Sequence, residues 1–370
     1  MKKILAAGLL VASLSAHAVD YEVQLLQSLS AGGDSLAYGL NDNGTVVGQS
    51  FNSTTGQNEA AVWTNGVVAS LGVKGLARAV NNSGTVVGET GDAFLGFPNG
   101  YAFSWSGSGP VTDLGTINDG LYSGAYDIND SGVITGFSCT NPTAACVFQS
   151  HGFRYDSGSM TDLGAVSVYS GYSRGHGIND SGEIAGRGSL VNFIDSDKHM
   201  AYWDSSNNLT SVINPNGTYS TAQQINNNGI IVGNGFNATG DMRGLVWDSN
   251  LNVTQLMGTF GGAQSRAWSI NDIGTIVGFA RDSSEANRAM VSYDGGATLV
   301  DLNSVALDLS GWQSLDVAYD INENGQIVGI GTLTDGTQGA FLLTAVPVPA
   351  AVWLFVSACA ALFGFRRSAR

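Results

Sequence analysis

A five-residue motif near the middle of the chain has the spacing of a nucleophile elbow, the turn that presents the reactive serine of many hydrolases. It runs from Gly171 to Gly175 with Ser173 at its centre, and His176 follows directly. Such a pair could perform acyl transfer, because a histidine can take the proton of a serine hydroxyl. The elbow works only between a strand and a helix, and here a further strand pattern follows. Catalytic partners must also converge in space, so the motif alone does not predict a serine hydrolase.

Asparagine and aspartate recur beside glycine in the chain, and their side-chain oxygens are ligands that calcium prefers. The EF-hand spacing is not met, and a tight turn accounts for these residue types without an ion. The histidines beyond the first 18 residues, His151, His176 and His199, lack metal-ligand spacing. No phosphate-binding or dinucleotide motif is present in the sequence. We therefore predict no catalytic residue, no cofactor and no metal site.

The recurring turns belong to a unit of the general form Asn-Asp/Asn-x-Gly-x-Ile/Val-x-Gly, which occurs seven times at intervals of 40 to 51 residues. In such a hairpin, Asn and Asp form local side-chain turns and glycine takes positive φ. The predicted turn asparagines are Asn41, Asn81, Asn129, Asn179, Asn226, Asn271 and Asn322. The predicted turn glycines are Gly44, Gly84, Gly132, Gly182, Gly229, Gly274 and Gly325.

Each unit contains four short strand patterns, which in the third unit cover residues 125–128, 133–135, 152–155 and 160–163. Four-stranded units of about 40–50 residues are typical of β-propeller blades. The seventh unit stops after its third strand, while an unassigned strand, Tyr21 to Leu26, precedes the first unit. That strand would complete the last unit and leave no free sheet edge. The sequence predicts an all-β, seven-bladed β-propeller closed by its N-terminal strand. An open β-solenoid is the alternative that regular repeats also allow.

Both ends of the chain have the character of sorting segments. Lys2 and Lys3 precede an apolar run, and the small-x-small site at Ala16–Ala18 follows it, which predicts a signal peptide over residues 1–18. The repeat domain then covers residues 19–345, and residues 346–370 form a third segment. Export places the chain in an oxidising compartment. Cys139 and Cys146 lie in one loop and are predicted to form a disulfide, with two free thiols as the alternative.

The last 25 residues combine a proline motif, an uncharged run and a basic end. The motif is Val346, Pro347, Val348 and Pro349, sixteen uncharged residues follow, and three arginines close the chain. A permanent spanning helix needs about 20 apolar residues, so this run favours a transient anchor. The tail resembles the PEP-CTERM class, in its VPLPA-CTERM variant, with Val348 in place of the usual leucine.

That resemblance implies cleavage by an exosortase-type sorting enzyme at the inner membrane of a Gram-negative bacterium. The protein would be transiently membrane-anchored and then reside at the cell surface or in the extracellular matrix. An ordinary C-terminal anchor remains the alternative. The repeats themselves resemble the HAF family of extracellular repeats over nearly all of residues 19–345. This second resemblance implies a location and a repeat architecture but no reaction.

The charge balance excludes one class of partner. Without the two lysines of residues 1–18 and the three arginines of residues 346–370, 10 basic residues face 30 acidic ones, a net charge of −20. Such a surface repels nucleic acid and anionic lipid, so we predict no nucleic-acid partner and membrane contact only through the C-terminal segment.

Aromatic residues in the longer connections mark the face that we expect to bind a partner. In a four-stranded antiparallel unit, the connections between strands two and three and between successive units share one face, and they vary in length here. Variable loops on a rigid frame often carry function. The candidate ligand-face aromatics are Phe51, Phe94, Phe97, Tyr122, Tyr169, Tyr172, Phe236, Phe260 and Trp312. The sequence thus favours a non-catalytic binding or matrix protein that recognises an extracellular polysaccharide or a surface protein. The alternative is a secreted polysaccharide lyase or hydrolase that uses carboxylates on this long-loop face.

Overall fold

A computed structural model describes residues 19–91, 100–142, 150–165, 172–189, 198–212, 219–248 and 250–346. Regular structure in these ranges is β-strand apart from two short helical turns, Ile117–Asp119 and α1 (Leu302–Val305). Within the same ranges, no helix is long and apolar enough to cross a membrane. The predicted leader, the three prolyl-motif residues 347–349 and the aromatics Phe94, Phe97 and Tyr169 lie outside the described residues.

The described strands form six antiparallel sheets, five of four strands and one of seven. The seven-stranded sheet holds the first two repeats: β2 (Ser35–Leu40), β3 (Val46–Asn52), β4 (Gln57–Thr64), β5 (Val67–Val80), β6 (Val86–Thr90), β7 (Ala102–Trp105) and β8 (Thr112–Asp113). Strand β5 pairs with β4 along its first part and with β6 along its second. It therefore serves as the fourth strand of one repeat and the first strand of the next, where the sequence had predicted two separate strands.

The next four repeats each form a separate sheet in chain order. Their strands are β9 (Ser123–Ile128), β10 (Ile134–Cys139), β11 (Ser150–Asp156) and β12 (Ser159–Asp162); β13 (Ser173–Ile178), β14 (Ile184–Ser189), β15 (Lys198–Trp203) and β16 (Leu209–Val212); β17 (Ser220–Ile225), β18 (Ile231–Phe236), β19 (Met242–Trp247) and β20 (Val253–Leu256); and β21 (Gly261–Ile270), β22 (Ile276–Asp282), β23 (Asn287–Ser292) and β24 (Val300–Asp301).

The last sheet joins the two ends of the domain. Its order is β1 (Tyr21–Leu26), β27 (Gln338–Ala345), β26 (Ile327–Leu333) and β25 (Trp312–Ile321). Strand β1 pairs antiparallel with β27, from Tyr21 opposite Ala345 to Leu26 opposite Ala340. The N-terminal strand therefore occupies the fourth position of the seventh repeat.

The core lies between successive sheets, because the strands bury apolar side chains on both faces. One face of the last sheet packs against β22 and β23 through residues such as Phe341 and Val291. Its other face packs against the first repeat, where Leu26 and Leu342 share a cluster with the fully buried Trp63. The last repeat thus contacts the first as each other repeat contacts its neighbour in sequence.

The turn asparagines link the repeats to one another. Each one accepts a hydrogen bond through its Oδ1 from the backbone N–H four residues later, which caps its own hairpin. Each also donates through its Nδ2 to the backbone carbonyl of the next turn asparagine, at 2.9–3.2 Å. The seventh, Asn322, donates to Asn41, so the circuit returns to its start. The turn glycines have φ between 74° and 87°, the left-handed region that glycine adopts without strain.

A second circuit runs parallel to the first through the residues that follow the asparagines. The backbone N–H of each donates to the side-chain oxygen of its counterpart in the next repeat, at 2.8–3.0 Å, and Glu323 returns the circuit to Asp42. The sequence predicted the turns but not these connections, because the donor and acceptor lie 40 or more residues apart.

Candidate functional site

The first strands of the repeats surround a cavity of about 1100 Å³. Its wider end is lined by Phe51 near the end of β3, by Gln57 at the start of β4 and by Gln338 at the start of β27. A smaller cavity of about 360 Å³ lies at the opposite end, beside the turn asparagines. Asp127, Gln224, Ser269 and Asp320 line both cavities and so form the floor between them. The arrangement is a channel that opens on the long-loop face and narrows towards the hairpin turns.

The side chains that enter this channel come from one repeated backbone irregularity. In all seven repeats the register between the first and second strands skips one residue, which is a β-bulge. The skipped residue always lies three positions before the turn asparagine. We call these the bulge residues: Tyr38, Arg78, Tyr126, His176, Gln223, Trp268 and Tyr319. All seven line the large cavity. Bulges re-aim side chains and occur beside functional sites.

Glycines on the second strands make room for the bulges. A Cβ atom at the glycine opposite each bulge would lie 1.9–2.2 Å from a backbone carbonyl oxygen of the first strand. These glycines are Gly48, Gly88, Gly136, Gly186, Gly233, Gly278 and Gly329. No other residue type fits such an approach, so the glycine that ends each repeat motif is a requirement of the bulge.

The bulge residues contact one another around the channel wall. The ring of Tyr319 lies 5.1 Å from that of Tyr38 and 5.4 Å from that of Trp268, centroid to centroid. On the other side, the Arg78 guanidinium lies 4.7 Å from the centroid of the Tyr126 ring. His176 lies 5.5 Å from that same ring. The wall therefore combines aromatic faces with polar and cationic groups.

Two buried carboxyl groups lie at the channel floor. Asp127 accepts hydrogen bonds from the backbone N–H of Ile178 and, at 3.2 Å, from the side-chain amide of Gln224 two repeats away. Asp320 accepts from the hydroxyl of Ser269 and from the backbone N–H of Leu40. Burial outweighs these hydrogen bonds and raises the pKa of Asp127 to about 7 and that of Asp320 to about 6.

His176 is held in its neutral form. Burial lowers its pKa well below the usual value, and the nearby charge of Arg187 lowers it further. Its Nδ1 lies 2.7 Å from the backbone carbonyl of Ala222, to which it donates. The ring therefore keeps its proton on Nδ1.

The hydrolase motif does not form an elbow. Ser173 lies in strand β13, where its hydroxyl accepts from the backbone N–H of Gly152 and donates to the carbonyl of Gly164. His151 contacts Asp162 at 2.9 Å on a different repeat from the serine. In the ranges that the structure describes, no group of three His, Cys, Asp or Glu side chains is placed to hold a metal ion.

The predicted ligand-face aromatics are placed differently from one another. Phe51 lines the channel and is partly buried. Tyr122, Phe236 and Phe260 are also partly buried, with Phe236 at the end of β18 and the other two in connections. Tyr172 and Trp312, two further candidate ligand-face aromatics, are buried, each with only 9% of its surface exposed. Trp312 packs edge-on against Phe341 in the core of the last sheet, with ring centroids 6.2 Å apart. Its ring packs against Gly331 and Gly339, where an added Cβ atom would lie 2.8 Å and 3.1 Å from the ring.

Sequence reasoning missed the bulge residues as a set. Each bulge residue lies three positions before its turn asparagine, and this constant spacing is the sequence signal that could have identified the set. Their types differ from repeat to repeat, however, so no residue pattern marks them. Of the predicted disulfide pair, Cys139 is disulfide-bonded and buried, while Cys146 lies outside the described residues, so this pairing stays a prediction.

No protein-family model matches the chain, and no curated protein matches it. Solved structures match it at low identity. TolB from Acinetobacter baumannii is 14% identical over 83% of this chain and 78% of that chain, with a TM-score of 0.40. The Aleuria aurantia lectin, a six-bladed β-propeller with a fucose recognition mode, is 12% identical over 73% and 95%, with a TM-score of 0.39.

A puromycin hydrolase is 12% identical over 85% of this chain, with a TM-score of 0.48, and this chain spans about half of its length (52%). The chain is all-β, and β-propellers are among its structural neighbours.

Proposed function

We propose that the chain is a seven-bladed β-propeller closed by its N-terminal strand. Two circuits of seven hydrogen bonds support this architecture, since each returns from the seventh repeat to the first. The two apolar interfaces of the last sheet, one with the sixth repeat and one with the first, support it further. In this arrangement β5 is shared by the first two blades.

We also propose that this propeller is an exported surface protein that binds carbohydrate in its channel without transforming it. The observation that carries the proposal is the ring of bulge residues, in which the faces of Trp268 and Tyr319 adjoin polar and cationic groups. Aromatic faces suit sugar rings, and the cavity, at about 1100 Å³, is slightly larger than the range of about 300–1000 Å³ that small-molecule sites occupy.

The position of the chain ends fits a surface role. Strand β27 ends at Ala345, and the N–H of Val346 donates to the carbonyl of Asp20 at 2.9 Å. Both ends therefore leave the domain at the hairpin-turn face. A tail that is held in the inner membrane and recognised by an exosortase-type enzyme would then present the wide end of the channel away from the membrane. Labelling of intact cells should accordingly reach Phe51 more readily than the asparagine turns.

A polysaccharide-acting enzyme is the second candidate, and the two floor carboxyl groups favour it. A carboxyl group with a pKa near 7, as at Asp127, can remain protonated near neutral pH and act as a general acid. Asp320 lines the same cavity and could act as the second carboxyl group of a glycosidase. Both carboxyl groups also accept backbone hydrogen bonds between repeats, which is a sufficient structural role.

Calorimetric titration of the purified protein with a panel of trisaccharides tests the binding proposal. We expect one or more of them to bind, and Trp268→Ala to weaken the affinity by roughly tenfold, because a stacking face is lost. Trp105→Ala removes an aromatic ring outside the channel and is the matched control. Equal effects of the two variants would contradict the proposal. Release of reducing ends or unsaturated sugars, abolished by Asp127→Asn, would instead establish the enzyme.

A further inference from the structure

Three arginine side chains in or beside the channel lack a carboxylate partner among the described residues, although acidic residues outnumber basic ones by 30 to 15 in this chain. Among the described arginines, Arg78, Arg243, Arg281 and Arg288 each pair with a carboxylate. Arg154 donates to an amide and a carbonyl oxygen. The remaining three are Arg174, Arg187 and Arg266, and no carboxylate of a described residue lies within salt-bridge distance of them.

These three arginines share one location. Arg187 and Arg266 line the large cavity. Arg174 lies behind the wall, where it donates to the hydroxyl of Tyr126 at 3.2 Å and lies 4.2 Å from the centroid of the Phe137 ring. The Nε atom of each of the three is buried without a hydrogen-bond partner. Buried donors of this kind are costly unless a partner completes them.

The positive charge of these arginines also acts on His176. After burial, the charges of Arg187, Arg174 and Arg78 all lower its pKa. A histidine at the channel wall therefore lies near three cations, and of these only Arg78 has a carboxylate partner among the described residues. The region is positive inside a protein that is acidic overall, which is the arrangement expected around a bound anion.

We propose that the ligand of this channel is an acidic sugar chain whose carboxylate groups are bound by Arg187 and Arg266. This inference rests on the proposed function and specifies its ligand class. A guanidinium group matches a planar carboxylate with two parallel hydrogen bonds, and sugar rings of the same chain would stack on Trp268 and Tyr319.

A carboxylated sugar fits the channel better than a sulfated one. Asp127 and Asp320 lie at the floor, so a densely charged ligand would be repelled there. A uronate unit carries one carboxylate and several free hydroxyl groups, and those hydroxyl groups can donate to the aspartate oxygens. A sulfate ester at C6 carries the same single charge, but its oxygens are weaker hydrogen-bond acceptors than those of a carboxylate and lie farther from the sugar ring.

Three trisaccharides that differ only at C6 test the inference: trigalacturonate, galactotriose and 6-O-sulfated galactotriose. Titrated into the full protein, trigalacturonate should bind at least tenfold more tightly than galactotriose. Its affinity should fall as salt is added, because salt screens the charge pairs. Arg187→Gln together with Arg266→Gln should remove this preference. Arg288→Gln, which changes an arginine paired with Asp282, should leave it unchanged.

Arg187→Lys keeps the charge but loses the paired geometry, so it gives a second measurement if the double variant folds poorly, and we expect a several-fold loss. Equal binding of trigalacturonate and galactotriose, insensitive to both arginines, would overturn the acidic class while leaving carbohydrate binding intact. Preference for the sulfated sugar would overturn the carboxylate assignment. Absence of binding by all three sugars would contradict the proposed function itself.

Discussion

The side-chain amide of Asn322 donates a hydrogen bond to the backbone carbonyl of Asn41, at 3.0 Å and across 281 positions of sequence. The oxygen of the same amide group accepts a hydrogen bond from the N–H of Gln326 in its own turn. One side chain therefore fixes a hairpin and joins the last repeat to the first. Six other asparagines do the same between consecutive repeats, which explains why asparagine rather than aspartate occupies this position: only an amide both donates and accepts.

Replacement of Asn322 should destabilise the whole domain. Asn322→Ala leaves the N–H of Gln326 without its partner and removes one of the two hydrogen bonds to the carbonyl of Asn41, which still accepts from the N–H of Gly44. We therefore expect the free energy of unfolding to fall by about 1–3 kcal/mol. Urea denaturation, monitored by tryptophan fluorescence, measures the change in this free energy. Asn324→Ala, which removes an exposed hydrogen bond to Asp42, is the control and should change the value by less than about 0.5 kcal/mol. Similar losses in both variants would mean that the asparagine circuit adds no more to the free energy of unfolding than an exposed hydrogen bond does.

Removal of the N-terminal strand should open the ring. A protein without residues 19–27 exposes the edge of β27, and unpaired strand edges pair with other chains. We expect aggregates or an unfolded chain in size-exclusion chromatography with circular dichroism. A well-folded monomer of the shortened protein would rule out closure by this strand.

The bulges should depend on the glycines opposite them. A Cβ atom at Gly186 would lie 2.0 Å from the carbonyl oxygen of Arg174, so Gly186→Ala must move the backbone of the bulge. We expect a loss of about 1–3 kcal/mol or more in the free energy of unfolding, as for overpacked cores. At Gly258 an added Cβ meets no atom within 4 Å, so Gly258→Ala is the matched control. Equal thermal stability of the two variants would contradict the role of Gly186.

The floor carboxyl groups predict that stability falls as pH rises. Their folded pKa values, about 7 for Asp127 and about 6 for Asp320, exceed the ordinary value of 3.8. The folded state therefore binds more protons between these limits, and its extra stability, fully present near pH 4, is lost as pH passes 6 and 7. The slope approaches about 1.4 kcal/mol per pH unit for each group. Asp127→Asn with Asp320→Asn should flatten this slope.

The measurement is the free energy of unfolding from pH 4.5 to 8. The matched control is Asp156→Asn, which changes an exposed carboxyl group on a hairpin between β11 and β12. The difference in stability between the original protein and the double variant should shrink or reverse towards low pH. A difference that does not vary with pH would show that these groups do not titrate in this range.

The fold was accessible from the sequence because the repeat motif is itself a structural element. Asn129, Gly132 and the strand patterns around them define a hairpin, and seven copies define a repeated sheet. The channel was not accessible, because a strand with regular alternation would place the residue three before the asparagine on the buried face, beside Ile128. The bulge changes that direction, and only backbone register reveals it.

For a related reason, the sequence did not reveal which aromatic rings are buried and which line the channel. Trp312 was assigned to a loop, but it begins the ten-residue strand β25 and is covered by Phe341. Conversely, Trp268 lies inside a strand and has the appearance of a core residue, yet it lines the channel. Burial of a ring depends on which neighbouring sheet covers it, and that relation is set by residues far away in sequence.

Carbohydrate binding by the bulge residues can be seen in a crystal structure of the protein grown with trigalacturonate or galactotriose. We expect sugar density inside the channel, with one ring against Trp268 or Tyr319 and within hydrogen-bond distance of the surrounding polar groups. Sugar bound only on the outer edges of the sheets or on the hairpin-turn face, with the channel empty at saturating concentration, would contradict binding by these residues.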